Sequence, residues 1–470
     1  MYHLFPYSLQ NAIISAYGLV LQRRYYGNGF TQWCDTYDSQ EFWTQSQIQQ
    51  YQREKLQHLI ELAVRHVPYY RKAFANIDCT KLKSLDDLKR LPILEKAVIR
   101  QDAMQLLDER LNPHSLYQDR TSGSTGTPLV IYWPKSMFPK WWSLAERRVR
   151  AWAGVRQSMP RAMIGGRTIV KGDSKSPYWR YNYLWKQLYM SSYHISDSTA
   201  PDYINAITRY GSQWITGYGS AISLLGEWLC KNSIKFQEIR AVLTSGDNLL
   251  PGHRRAIQEG FCCKVFDNYG SAEGCLFISE CEHGRMHVQP ETGILEILDE
   301  NGNQCKPGEI GHMIVTGLLN DAMPLIRYRT GDLAAWSHET ACPCGRNSLL
   351  VSHIEGRADD YLLHEDGRRI GRLSTAIKKA LTIHSAQIVQ DRLDHAWLLI
   401  HPADGYHESH GEIIRNDILS RIGIFKIDVC IVNTVPKTPV GKQSLVVRLV
   451  DSPILKDLYQ TTLPEIPWKY

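Results

Sequence analysis

The densest chemical signal in the sequence is the run Thr121-Ser122-Gly123-Ser124-Thr125-Gly126-Thr127-Pro128. Hydroxyl side chains and glycines fill it, so it has no apolar face with which to pack. Its backbone N–H groups and hydroxyls can converge on an anion instead. Glycine lets the backbone approach closely, and successive N–H groups form a concave nest that suits phosphate. The run lacks the Gly-Lys-Ser/Thr of a P-loop. A flexible polar linker is the alternative, but Leu129-Val130-Ile131-Tyr132 resumes at once as a strand. A second cluster has the character of a metal site: Cys281, His287 six positions later, and Cys342-Pro343-Cys344. Three thiolates and one imidazole make a closed tetrahedral set that suits structural zinc. His283 competes as a ligand, and chance grouping is the alternative in a chain with 11 cysteines.

These groups need a large scaffold. At 470 residues the chain exceeds what one core usually supports, which predicts two or more domains. Hydrophobic residues at 43 % and charged residues at 22 % exclude a disordered, collagenous or multi-span membrane protein. The net charge of +6 is mild over this length; it suits an enzyme that handles anions and gives no argument for nucleic acid. The scattered, odd number of cysteines and the lack of a secretory pattern at the N-terminus predict reduced thiols and a cytoplasmic protein. The most apolar stretch, Ala12 to Leu21, is about half the length needed to span a bilayer. It either packs as an ordinary helix or lies on a membrane surface with Arg23 and Arg24 at the headgroups.

The first 110 residues read as mostly helical. Between Gln52 and Val67 the residues Leu56, Leu59, Ile60, Ala63 and Val67 repeat at helical spacing, and Pro68 ends the pattern. From about residue 120 short apolar runs alternate with helical ones: Arg161 to Val170, Ala241 to Thr244, Lys264 to Phe266, Met313 to Val315. This predicts an α/β domain with strands buried on both faces. Ile294 to Leu298 and Gly311 to Thr316 flank Asn301-Gly302, a hairpin signal inside a β-rich stretch of about 291–355. Trp397 to Ile400 and Val429 to Val432 read as strands, and Gly411 to Ile422 as a helix, of a small C-terminal unit. The charged run Glu355-Gly356-Arg357-Ala358-Asp359-Asp360 before it is a hinge or a plain surface loop.

The glycine-rich run resembles the phosphate-binding motif of the adenylate-forming superfamily, and four further motifs follow in that family's order. Asp267-Asn268-Tyr269-Gly270-Ser271-Ala272-Glu273 is similar to its aromatic–Gly–x–x–Glu motif. Tyr328-Arg329-Thr330-Gly331-Asp332-Leu333 is similar to its Tyr-x-Thr-Gly-Asp motif. The charged run at 355–360 resembles its hinge, and Pro436-Lys437-Thr438-Pro439-Val440-Gly441-Lys442 its lysine-bearing loop. Within the superfamily, His66-Val67-Pro68-Tyr69-Tyr70-Arg71 and Leu91-Pro92-Ile93-Leu94-Glu95-Lys96 resemble N-terminal signatures of the phenylacetate–CoA ligase branch, which includes CapK-type relatives.

The resemblance implies a large α/β domain with a β-rich subdomain and a small mobile α+β C-terminal domain. The expected division is a helical part at 1–115, a nucleotide- and acid-binding part at 116–357 and a lid at 361–470. It implies ATP-dependent activation of a carboxylic acid as an acyl-adenylate, followed by transfer to CoA. Ser122, Gly123, Ser124, Thr125, Gly126 and Thr127 would hold phosphates, with Asn268, Tyr269 and Gly270 at adenine. Asp332 would accept from the ribose hydroxyls, Arg357 would hold ribose or phosphate, and Glu273 would hold Mg²⁺. Lys442 would serve the adenylation transition state, delivered by rotation about Asp359 or Asp360. The acid would sit by Tyr218, Gly219, Ser245 and Gly246, among aromatics such as Tyr183, Trp185, Tyr189 and Tyr193. Some members of the branch carry a Cys-His-Cys-Cys zinc site, implying Cys281, His287, Cys342 and Cys344 here. Asp247 and the loop 362–371 depart from the family pattern. Transfer to an amine, an amino sugar or a carrier protein stays open, as do a homodimer and a non-catalytic scaffold.

Overall fold

The computed structural model describes residues 2, 5–120, 129–165, 167, 169–170, 175–246, 249, 251–271, 273–355, 361–370, 373, 376, 383–402, 405–422, 425–432, 436, 446–451, 456, 459–461, 463, 465–466 and 468. The glycine-rich run, the hinge residues Arg357, Asp359 and Asp360, the lysine loop with Lys442, and Asp247 therefore lie outside the described residues.

The elements of the first 115 residues are helical, as expected for the first 110. The helix Gln45–His66 starts earlier than the apolar repeat because Thr44 and Gln47 form a capping box, each side chain bonding the other's backbone N–H. It buries Ile48, Leu56, Leu59, Ile60 and Ala63. Pro68 ends it and supplies the first residue of the helix Pro68–Ala73, where its missing N–H costs nothing.

A hairpin of β1 (Tyr117–Arg120) and β2 (Val130–Trp133) carries the glycine-rich run as its connection, with Arg120 opposite Val130. One sheet of twelve strands forms the body. Its members are β3 (Arg161–Gly165), β4 (Trp179–Asn182), β5 (Gln187–Ser191), β6 (Trp214–Gly217), β7 (Ala241–Ser245), β8 (Lys264–Gly270), β9 (Phe277–Glu280), β10 (Met286–Val288), β11 (Gly293–Leu298), β12 (Ile310–Gly317), β13 (Tyr328–Trp336) and β14 (Leu350–Glu355). The spatial order is β11-β12-β13-β14-β10-β9-β8-β7-β6-β3-β5-β4. The strands β5, β3, β6, β7 and β8 are parallel, and their interiors are largely buried. The hairpin around Asn301-Gly302 forms as expected, with Ile294 opposite Thr316 and Gly302 at φ +82°. The β-rich stretch is not a separate sheet, because β9 and β10 join it by antiparallel pairing to β8 and β14.

The far edge strand, β4, is covered by the helix Tyr7–Tyr25. Asn11 Oδ1 accepts from the Tyr181 N–H at 3.0 Å, and Ser15 Oγ accepts from the Tyr183 N–H at 3.0 Å. Gln10 Oε1 accepts from Arg180 Nε. Side chains thus satisfy donors that an edge strand otherwise leaves open.

The C-terminal residues form β15 (Leu362–Leu363), β16 (Arg369–Ile370), β17 (Ile383–Arg392), β18 (His395–Pro402), β19 (Lys426–Ile431) and β20 (Val446–Arg448). The last four make a sheet in the order β19-β18-β17-β20. The helix Glu408–Ile422 buries Ile414, Ile418 and Ile422 in that unit's core, which also encloses Tyr193. No helix among the described residues is long and apolar enough to cross a membrane.

Candidate active site and metal centre

Parallel strands leave their C-terminal ends as the natural ligand edge of an α/β sheet. At that edge Gly217 pairs with Thr244, and Ser245 pairs with Asn268. Tyr218 and Gly219, Ser245 and Gly246, and Asn268, Tyr269 and Gly270 therefore come together, although they are scattered in sequence. Gly217 has φ +142°, and a Cβ there would lie 1.8 Å from the Ile164 carbonyl oxygen, so only glycine allows β6 to end against β3.

Asn268 is 7 % exposed, and its Nδ2 donates to the Thr244 and Phe266 carbonyls at 3.4 and 3.3 Å. Its Oδ1 is buried with no partner among the described residues. An orphaned acceptor at a ligand edge is what an exocyclic amine, such as that of adenine, would satisfy. The neighbouring Asp267 carboxyl accepts from Thr244 Oγ1 at 2.6 Å, and burial raises its pKa to about 6.

Two tyrosine–carboxylate bonds close the site. Tyr269 donates to Asp332 Oδ2 at 2.7 Å, and Tyr328 donates to Glu273 Oε1 at 2.6 Å. Both join β13 to β8 or to the residues just after it. Three strands separate β8 from β13 in the sheet. A flat sheet would put them about 19 Å apart, so the sheet curls to bring the two motifs face to face. Burial, with the Asp332 charge beside it, raises the Tyr269 phenol well above its ordinary pKa, and it stays a neutral donor. Asp332 is further set by Thr330, whose Oγ1 accepts from the Asp332 N–H at 3.2 Å and donates to the Met313 carbonyl at 3.1 Å.

The start of β13 is fixed by the Leu91–Lys96 segment. The Leu94 N–H donates to the Arg327 carbonyl at 2.9 Å, and Arg329 N–H donates to the Leu94 carbonyl at 3.0 Å. Lys96 Nζ lies 6.0 Å from the centre of the Tyr328 ring. Sequence reasoning gave neither Tyr328 nor Lys96 a role, though both stood inside quoted motifs. Glu273 is 7 % exposed and is followed by Gly274 at φ +68°. A Cβ at Gly274 would lie 2.5 Å from the Trp133 ring. Trp133 ends β2, so the end of that strand packs against the backbone that carries Glu273.

The four aromatics expected around the acid diverge. Tyr183 is 63 % exposed beside the N-terminal helix, Trp185 packs on Tyr25 and Tyr26, and Tyr193 enters the C-terminal core. Tyr189 lines a small cavity with Met163, Gly165 and Arg167. A Cβ at Gly165 would meet the Tyr218 ring at 3.9 Å, so this cavity borders the expected acid position.

The metal-like residues also converge. Ligand atoms of Cys281, His287, Cys342 and Cys344 all lie within 4.8 Å of one another, and His283 is not in the group. Cys281 Sγ is 3.6 Å from Cys342 Sγ, and Cys344 Sγ is 3.4 Å from His287 Nε2. Tetrahedral zinc with bonds of ~2.3 Å to sulfur and ~2.05 Å to nitrogen sets these separations at about 3.8 and 3.6 Å. His287 Nδ1 meets Ser348 Oγ at 2.9 Å, which leaves Nε2 turned toward the sulfurs. Burial, reinforced by Arg346, lowers the ring's pKa to about 4, so the imidazole is in its neutral, ligating form. The donor set fits zinc, and its four positions are closed.

The segment 362–449 matches the CapK C-terminal domain family. Protein CapK of Staphylococcus aureus is 24 % identical over 459 residues, covering 95 % of this chain and 98 % of CapK. The phenylacetate–coenzyme A ligase of Thermus thermophilus is 26 % identical over 384 residues, covering 78 % of this chain and 84 % of the ligase. Among solved structures, 2-hydroxyisobutyryl-CoA ligase with 2-HIB-AMP and CoA in the thioesterification state is 18 % identical with a TM-score of 0.57. That match covers 89 % of this chain and 94 % of the ligase. The postadenylation state of that ligase, with R3-HIB-AMP, gives 0.56 at 18 % identity, covering 91 % and 94 %. These likenesses carry the fold, which is that of the adenylate-forming CoA ligases, and the chain is similar to CapK over nearly its whole length and to phenylacetate–CoA ligases over most of it.

Proposed function

We propose that the protein activates a carboxylic acid with ATP and passes the acyl group to CoA. The observation that carries this reading is Asn268 Oδ1, without a partner among the described residues, beside Tyr269–Asp332 and Glu273 at the C-terminal edge of the parallel strands. In the first step a carboxylate oxygen attacks the α-phosphorus of ATP, the bond to the bridging oxygen breaks, and pyrophosphate leaves. In the second, the CoA thiolate attacks the acyl carbon and AMP leaves; the thiol proton goes to solvent. The protein's work is to bring anions together and hold charge.

In this reading Asn268 accepts from the adenine amine, Tyr269 covers the base, and Asp332 takes the ribose hydroxyls. The residues 122–127 hold phosphates, and Arg357 meets ribose or phosphate. Glu273 would hold Mg²⁺, which neutralises phosphate charge when bound. Lys442 supplies a mobile ammonium to the carboxylate and α-phosphate together. Tyr218, Gly219, Ser245 and Gly246 border the acid. Cys281, His287, Cys342 and Cys344 hold a structural zinc.

A second reading keeps adenylation and changes the acceptor to an amine, an amino sugar or a carrier protein. It is favoured by the near full-length similarity to CapK and by the departure of the loop 362–371 from the family pattern. A scaffold without catalysis is disfavoured, because Glu273, Asp332, Arg357 and Lys442 are all present. The test is ATP–pyrophosphate exchange across a panel of carboxylic acids, then AMP release with and without CoA. Exchange with a thiol-dependent burst of AMP supports the first reading. Exchange with no response to CoA supports the second, and absence of ATP binding overturns both.

A further inference from the structure

The helix Tyr7–Tyr25 is built inside out. Its inward side includes Gln10, Asn11 and Ser15, which bond Arg180, Tyr181 and Tyr183 on and beside β4. Its outward side carries Leu9, Ile13, Tyr17, Leu19 and Val20, exposed at 44, 38, 55, 47 and 52 %. At ~100° per residue, Leu9, Ile13, Ala16 and Val20 fall within about 60° of one another. They form one apolar stripe along the helix. Leu184 and Tyr183, 48 and 63 % exposed, lie beside it in the β4–β5 turn. The helix cannot roll to hide the stripe, because its polar side chains are committed to the edge strand.

We propose that this face seats on the surface of an anionic membrane. Charge is the first argument. Residues 1–34 contain Arg23 and Arg24 and no Asp or Glu. Residues 175–191, which include the adjoining turn, contain the exposed Lys175 and Lys186 and again no acid, while Arg180 is turned inward onto Gln10. An apolar stripe whose own helix and adjoining turn carry basic residues and no acid is what an interface of acyl chains and anionic headgroups accepts. Area is the second. A 19-residue helix offers a strip about 28 Å long and ~10 Å wide, or ~300 Å², well short of the ~800 Å² per partner of a stable protein dimer. A helix lying in an interface needs no more than its own length.

Co-sedimentation of the full chain with phosphatidylcholine vesicles, with and without phosphatidylglycerol, tests this. The expected result is binding to the anionic vesicles that weakens as salt rises. Ile13→Glu/Val20→Glu should lower it by more than about tenfold, with melting and pyrophosphate exchange unchanged. Arg23→Glu should weaken binding and flatten its salt dependence. The proposal is overturned if the full chain stays in the supernatant, or if the double variant pellets like the parent. It is equally overturned if sedimentation velocity finds a dimer that the double variant dissolves while vesicles bind neither. Vesicle binding is read without ATP or acid, so this result stands apart from the activity proposed above.

Discussion

Tyr328→Phe isolates the hold on Glu273. The phenol is fully buried and donates to Glu273 Oε1 at 2.6 Å, and Glu273 itself is 7 % exposed. Removing the hydroxyl keeps the ring and its packing but leaves a buried carboxylate oxygen short of a donor that water cannot readily replace. Hydrogen bonds to charged groups contribute ~1.5–3 kcal/mol, and ~1.4 kcal/mol is a tenfold change. If positioning of the carboxylate depends on this bond, kcat/KM for MgATP in pyrophosphate exchange falls about 10- to 150-fold. The acid's KM should change little, because the lost bond is to Glu273, which is not among the residues assigned to the acid. The double variant with Glu273→Gln should be no worse than Glu273→Gln alone, since both changes remove one function. Exchange within twofold of the parent, or losses that multiply in the double variant, would refute the coupling.

Lys442→Ala should lower adenylation far more than transfer from a supplied acyl-adenylate, and equal loss in both half-reactions would sink its assignment. Elemental analysis should find one zinc per chain, absent from Cys342→Ser along with a lower melting temperature; metal-free protein that melts unchanged contradicts a structural metal. His395 contacts Asp391 at 2.5 Å and Asp428 at 3.1 Å. Burial opposes its charge, but hydrogen bonds and charges from the two aspartates outweigh burial and raise its pKa. The folded chain then holds that proton more tightly than the unfolded chain, so the contact stabilises below ~pH 6.5 and is lost as pH rises through the raised value. The melting temperature should exceed that of His395→Asn at acid pH and approach it at alkaline pH; a gap that widens with pH would contradict this.

Local rules carried far in this sequence. The spacing Leu56, Leu59, Ile60, Ala63 marks a helix face, and Asn301-Gly302 between apolar runs marks a hairpin, because both signals lie within a few residues. The identity of the metal-like set was legible too, while the choice of His287 over His283 needed the pairing of β10 with β14. Continuity of the β-rich stretch with the parallel strands was not legible, since it rests on pairings across dozens of residues. Tyr328 escaped notice because its value comes from the sheet's curl, which brings β13 over the residues after β8. The aromatics near 183–193 could not be sorted, since packing and pocket walls draw on the same residue types. The polar row of the N-terminal helix was not legible for a related reason: apolar residues on its outer side obscure side chains whose purpose is set by β4.

That polar row bears on how the protein can be shortened. The oily exterior of the first helix invites deletion to improve solubility. Cutting the chain after residue 30 would remove Asn11 and Ser15 from Tyr181 and Tyr183. The strand behind them would then present bare donors at the rim of a twelve-strand ladder, a template for pairing with the next copy. The segment that looks most expendable is the one that keeps neighbouring molecules from stacking edge to edge.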